Sequence, residues 1–227
     1  MQQNHGTQSR FDLVPTQRSF VEVAMSETSS PDTQAQPAPG FIDREARKEF
    51  LRLCLLTFLI FFLNAHASML AIIFTRHGLA LHDIGWLLSL YGVPVVLFTF
   101  VTGTAAAMIG SLWTARIGIG LMLIGFLSLS VTAWSFWPAL CSRLMWGAGY
   151  GLMFSSLVTY AQSRLTKERF VYLFGLFSSM APISHALAPP WVEFLLRLDN
   201  DPIIFIIGAC PAFIALLLTF ALRPFDF

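Results

Sequence analysis

The chain has 227 residues, of which 56% are hydrophobic and 12% charged, about half the charged fraction of an ordinary soluble domain. A formal net charge of +1 leaves no basic patch to meet a phosphate backbone, which excludes a nucleic-acid partner. Mean hydropathy is +0.66, the value of a chain that resides in lipid.

Residues Met1–Gly40 differ in kind from the rest. Met25–Gly40 is rich in Ser, Thr, Gln and Pro, has almost nothing to bury, and is expected to be disordered. No apolar segment of signal-peptide type follows the start. Met25 opens a stretch that would itself make a polar tail, which marks it as an alternative start. Phe41–Phe50 reads as a charged, helical lead-in. The chain divides into a disordered cytoplasmic tail, residues 1–48, and a membrane domain, residues 49–227.

Six long apolar runs follow: Leu53–Phe74, Ile84–Met108, Ile117–Trp134, Ala139–Ala161, Phe170–Val192 and Ile203–Leu222. Each is close to the roughly 20 residues that a helix needs to cross about 30 Å of hydrocarbon. The expected fold class is all-α, an integral membrane bundle of six transmembrane helices. The 22 Phe and 6 Trp suit lipid-facing and interfacial positions.

Orientation follows from Lys and Arg in the short links. Arg44, Arg47, Lys48, Arg52, Arg116, Arg164, Lys167, Arg169 and Arg223 fall on the side of both termini, and only Arg76 and Arg197 on the other. Both termini are expected to be cytoplasmic, in a multi-pass protein of the plasma (inner) membrane. The links on the opposite side, Thr75–Asp83, Ser135–Pro138 and Glu193–Pro202, leave no room for a folded domain. Function is therefore expected between the helices.

Arg143 is the one arginine well inside a run. At the bilayer centre an arginine costs several kcal/mol, so it normally faces a partner or a hydrated cavity. Snorkelling to the headgroups is the competing reading. Gly147 and Gly151 lie four apart and share a helix face, with Gly149 between them. Small residues at that spacing let helices approach closely, so Arg143, one turn earlier, is expected to point into a helix contact. In the first run, Asn64 and Ser68 share a face and His66 points elsewhere. Asn64 either meets a solute or makes an interhelical hydrogen bond. His66 titrates near neutrality and suits a proton relay. In the fifth run Pro182 removes a backbone donor and leaves a carbonyl near residue 178 unpaired. His185 then either serves transport or satisfies that disturbed backbone. Cys54, Cys141 and Cys210 lack any CxxC spacing and read as fillers of a packed bundle.

These stretches resemble the major facilitator superfamily. Arg143-Leu-Met-Trp-Gly147-Ala-Gly149 matches that family's fourth-helix Arg-x-x-x-Gly-x-Gly pattern. Gly103 through Gly110 and Ser111 occupies the place of its Gly-x-x-x-Asp-Arg-x-Gly-Arg link, keeping both glycines and losing every charge at Ala107, Met108 and Ser111. Ala181-Pro182 through His185-Ala186 stands where its proton antiporters carry Gly-Pro-x-x-Gly-Gly. The resemblance covers Phe50 to Leu222, the amino-terminal half of a full-length member. It implies alternating access of a small solute or drug-like molecule, proton-coupled efflux, and a substrate path between two six-helix halves. Arg143, His66, Asn64 and His185 would face that path, and the partner would be a second half or a second copy. The lost charges remove the family's cytoplasmic latch. The alternative is a non-transporting remnant or accessory membrane subunit.

No carboxylate lies deep in a run, and no Gly-x-x-x-x-Gly-Lys-[Ser/Thr] loop occurs, which excludes direct energisation by ATP in this chain. His-Glu-x-x-His and Gly-x-Ser-x-Gly elements are absent too. The chain is not expected to be an enzyme, and no cofactor or metal is implied.

Overall fold

The computed structural model describes residues 44–164, 167–198 and 200–222. The tail expected to be disordered, up to residue 43, lies outside them. Eight helices occur among the described residues: α1 (Arg44–Ala65), α2 (Ala67–Arg76), α3 (Leu81–Ser89), α4 (Gly92–Ile109), α5 (Ser111–Thr132), α6 (Phe136–Arg164), α7 (Lys167–Leu196) and α8 (Asp201–Phe220). No strand occurs among them. Helices α1 with α2, and α3 with α4, continue one another, so the eight make six rods. They correspond in order to the six apolar runs. Arg44–Lys48, assigned above to the tail, are already helical.

Four stretches, Arg47–Arg76, Leu81–Ile109, Ser111–Thr132 and Asp201–Phe220, are long and apolar enough to cross a membrane. Helices α6 and α7 are as long as the first two of these but more polar, with Arg143 in α6 and Ser184, His185 and three prolines in α7. Exposed Trp86, Trp113, Trp134 and Trp137 stand close to the ends of their rods, where amphipathic rings meet headgroups. Exposed Phe100, Leu97 and Met108 on α4 carry no penalty in lipid, which is as apolar as they are.

Because lipid removes the hydrophobic drive, close backbone packing must hold the rods together. The most extensive contacts join rods 3 and 4, 2 and 4, 1 and 5, 3 and 6, and 1 and 6. Exchanging rod 1 with 4, 2 with 5 and 3 with 6 returns the same set. The bundle is therefore built as two equivalent three-helix units.

Glycines set the closest of these contacts. A Cβ on Gly149 would strike Gly118 O and stand 2.6 Å from Met122 N, and one on Gly125 would stand 2.6 Å from Trp146 N. Gly147 and Gly151 face the other way, where a Cβ would stand 2.5 Å from Tyr91 O and Val95 O. Ser142 ties α6 again to α5, receiving a hydrogen bond from Ser128 at 2.8 Å. Gly110 is the whole link between α4 and α5, with φ 87° and ψ 146°, a region open essentially only to glycine. The third rod thus begins at Ser111, six residues before the expected Ile117. Gly103 is exposed and has nothing near it.

Two arginines close the carboxyl end of α8. Arg116 donates to Thr219 O at 3.0 Å and to Thr219 Oγ1 at 3.3 Å, with its guanidinium carbon 4.4 Å from the Phe220 ring centroid. Arg52 donates to Ala221 O at 3.0 Å. Cations here add donors to the last carbonyls of the helix and favour the negative end of its dipole. At the other end of the bundle, His77 Nε2 meets Asp201 Oδ2 at 2.7 Å and joins rod 1 to rod 6.

Candidate functional site: a buried arginine beside two helix breaks

Rod 1 is not the continuous helix expected from Leu53–Phe74. It breaks at His66, and the histidine itself supplies the cause. Its Nδ1 lies 2.8 Å from Phe62 O; a carbonyl only accepts, so Nδ1 carries the proton. The side chain thereby takes the carbonyl that its own backbone N–H would use in an α-helix. That N–H turns to Leu63 O at 3.1 Å, and Met69 N donates to His66 O at 3.0 Å. Both bonds span three residues, the tighter 3₁₀ geometry that marks a hinge.

Rod 2 breaks between Ser89 and Gly92. Pro94 has no N–H to offer Leu90 O, so Val93 N donates to it instead at 3.2 Å. The helix restarts with Pro94 in its first turn, where a missing donor costs nothing.

The two breaks are neighbours. Tyr91, in the second, donates its hydroxyl to Asn64 Oδ1 at 2.7 Å, two residues before the first. Arg143 joins them from α6. Its Nε donates to Leu87 O at 3.4 Å, in the last turn of α3. Its guanidinium carbon lies 4.4 Å from the Tyr91 ring centroid and 4.6 Å from that of Trp146. Arg143, Gly147 and Gly151 meet Leu87, Tyr91 and Val95 in turn, one helical turn at a time on both rods. Close approach at the two glycines is what brings the arginine onto rod 2. Snorkelling is excluded, since Arg143 is 1% exposed.

Aromatic rings extend from Tyr91 in two directions. Inward, Trp146 packs edge-on to Phe126, and Phe126 to both Phe205 and His66. His66 is fully buried there, and a Cβ on Gly208 of α8 would lie 3.5 Å from its ring. Its bond to Phe62 O holds the His66 ring within the bundle. Its Nε2 has no partner among the described residues. Outward, Tyr150 stands 6.3 Å from Tyr91, and Phe61 and Phe154 lie 6.0 and 6.2 Å from Tyr150. His185 of α7 is exposed, 6.4 Å from Phe61, and binds Ala181 O at 2.8 Å rather than the carbonyl of residue 178. This outer surface draws on rods 1, 2, 4 and 5 alone. Asn64, Tyr91, Tyr150 and Phe154 are half-buried on it.

Residue types and spacing pointed to Arg143, Asn64, Gly147 and Gly151, and the structure brings these together. His66 and His185 fall on its inner and outer margins. Pro182 lies inside an unbroken α7. Tyr91, Trp146 and Tyr150 escaped notice because aromatic residues are common in this chain. Pro94, three residues after Tyr91, was the available signal of a helix restart. Cys141 and Cys210 are exposed rather than packed, and only Cys54 is buried. No group of three or more His, Cys, Asp or Glu that could hold a metal occurs among the described residues.

This six-rod bundle of two three-helix units, with its buried arginine, agrees with the match of residues 53–226 to the family model described as Major Facilitator Superfamily. The chain belongs to the major facilitator superfamily. No curated protein matches it. As a member of that superfamily it is a multi-pass membrane transporter, and the lipid bilayer is its surroundings.

Proposed function

We propose that this protein moves a small solute by alternating access, with Arg143, Asn64 and Tyr91 beside the path. The observation that carries this reading is the pair of adjacent helix breaks, bridged by Tyr91 and Asn64 and gripped by Arg143. Alternating access needs helices to move against one another around a fixed site. Breaks in rods 1 and 2 at one level let the hairpin Ala67–Ser89 swing as a unit. His77 with Asp201, and Arg143 with Leu87 O, are the contacts that such a swing releases.

The finer reading is proton-coupled efflux across the plasma (inner) membrane, with both termini cytoplasmic. The nine-to-two distribution of Lys and Arg supports the orientation. His66 supports the coupling: its buried, unpartnered Nε2 is a proton acceptor in a bundle whose carboxylates lie near helix ends. His185 is assigned to the margin of the path. A second transporter half or a second copy would cover the exposed side of α4.

The test is solute flux in vesicles carrying the purified chain, with and without an imposed pH gradient. Movement of at least one solute against its gradient, abolished when the pH gradient is collapsed, is the expected result. A chain that moves nothing, yet is recovered with another membrane protein whose transport depends on it, is an accessory subunit instead.

A further inference from the structure

We infer that Arg143 and the aromatic surface beside it form a binding site for organic anions with a flat apolar body. The proposal rests on the transporter reading and names its substrate class.

The guanidinium has five N–H donors in one plane. The Tyr91 and Trp146 rings lie 4.4 and 4.6 Å from the guanidinium carbon, contacts that consume none of its N–H donors. Of those donors, Nε reaches Leu87 O only at 3.4 Å, and buried Nη1 has no partner among the described residues. No ion pair joins Arg143 to any carboxylate among the described residues. The acids of the eight helices (Glu45, Glu49, Asp83, Glu168, Glu193 and Asp201) all stand within two turns of a helix end. A buried cation without a counter-charge is costly in hydrocarbon, and a carboxylate meets the guanidinium edge with two parallel hydrogen bonds.

Neighbouring groups favour the same charge. Asn64 spends its carbonyl oxygen on Tyr91, so its amide offers donors, and it is half-buried on the outer surface. Tyr150 adds a hydroxyl on that surface. Beyond them Tyr150 and Phe154 lie parallel within 5°, with Phe61 at 5.8 Å from Phe154. Donors at one end and flat rings at the other describe a ligand with an anionic head and an aromatic or planar apolar body. A cationic drug would meet the arginine's repulsion and no acid to offset it.

The experiment is equilibrium binding of radiolabelled benzoate to the purified full chain in mild detergent, with benzamide and acetate measured alongside. Benzoate should bind saturably and more tightly than either. Benzamide keeps the ring and lacks the charge; acetate keeps the charge and lacks the ring. Arg143→Gln should weaken benzoate by roughly tenfold or more, as expected for loss of a charge-assisted hydrogen bond, and leave benzamide unchanged. Arg143→Lys, which retains charge without the fork, should fall between. If Arg143→Gln does not fold, Arg143→Lys and Tyr150→Leu still decide, the latter removing the ring next to Tyr91 and lowering benzoate affinity towards that of acetate. Absence of saturable benzoate binding, equal binding of benzamide, or benzoate affinity unchanged in Arg143→Gln overturns the anion site. Acetate binding as tightly as benzoate overturns the aromatic part.

Flux separates this proposal from the transporter reading. Vesicles that move a neutral or cationic solute with no inhibition by benzoate overturn the substrate class and leave the transporter standing. Arg143-dependent benzoate binding with no flux of any solute keeps the site and overturns transport.

Discussion

The Tyr91 hydroxyl donates to Asn64 Oδ1 at 2.7 Å and so couples the break in rod 1 to the break in rod 2. A hydrogen bond shared between two hinges favours their bending together. The same tyrosine carries the Arg143 guanidinium on its ring, so one residue links both hinges to the buried charge.

Tyr91→Phe separates these roles, because it keeps the ring and deletes the bond. An interhelical hydrogen bond in a membrane is worth only about 0.6 kcal/mol on average, so thermal unfolding in detergent should shift little. Vesicle flux should fall several-fold, since the hinges then move independently. A normal flux with the bond removed would assign the contact to packing alone.

Gly149 and Gly103 make a matched pair for the packing argument. A Cβ on Gly149 has nowhere to go between Gly118 and Met122, whereas one on Gly103 meets nothing within 4 Å. Gly149→Ala should destabilise the bundle by about 1–3 kcal/mol, the cost of overpacking. Gly103→Ala should be neutral or stabilising by up to ~1 kcal/mol through helix propensity. Melting of both variants in one detergent checks the contrast, and equal effects would refute the close-packed account of rods 3 and 4.

Much of this architecture was legible in the residues, and the boundary of what was legible is physical. Apolar length marks a rod wherever lipid is the solvent, so all six appeared in order. Gly147 and Gly151, four apart, reported a close helix contact because helical periodicity puts them on one face, while its partner, rod 2, came only from the structure. What failed was local. The break at His66 arises from a side chain displacing its own backbone N–H on Phe62 O, which leaves no trace in hydropathy. Gly118 and Gly125 on α5 are seven positions apart and share a face, yet which rod they meet depends on tertiary packing. The inward turn of His66 follows from the same local bond and could not be told from a path-facing histidine by spacing.

Arg116 tests the closure at the end of α8. Arg116→Ala removes two hydrogen bonds to Thr219 and the ring contacts with Trp113 and Phe220. A cation at a helix carboxyl end contributes about 0.3–1 kcal/mol, and partly buried cases more, so the loss should be about 1 kcal/mol with some recovery in Arg116→Lys. Thermal melting measures it. A larger loss in Arg52→Ala than in Arg116→Ala would reverse the order expected from Arg52's single bond to Ala221 O.

Orientation is tested by reporter fusions at Asp199 and Phe227. With an even number of rods and nine basic residues against two, Phe227 should report the cytoplasm and Asp199 the opposite side. Both reporters on one side would contradict the six-span topology.

Arg143→Lys distinguishes a path residue from a packing residue. The two side chains carry the same charge and have similar insertion costs in a helix centre, so the variant should reach the membrane at normal levels. Lysine, however, has no planar fork to stack on Tyr91 and Trp146 while directing donors along its edge. Its ammonium can replace neither the 4.4 and 4.6 Å ring contacts nor the bond to Leu87 O in one geometry. Flux should fall by roughly tenfold or more, since losing a charge-assisted hydrogen bond costs about 1.5–3 kcal/mol, while membrane level by blot stays unchanged. Wild-type flux in Arg143→Lys would mean that any buried cation suffices, and the arginine would leave the transport mechanism as a device for holding rods 2 and 4 together.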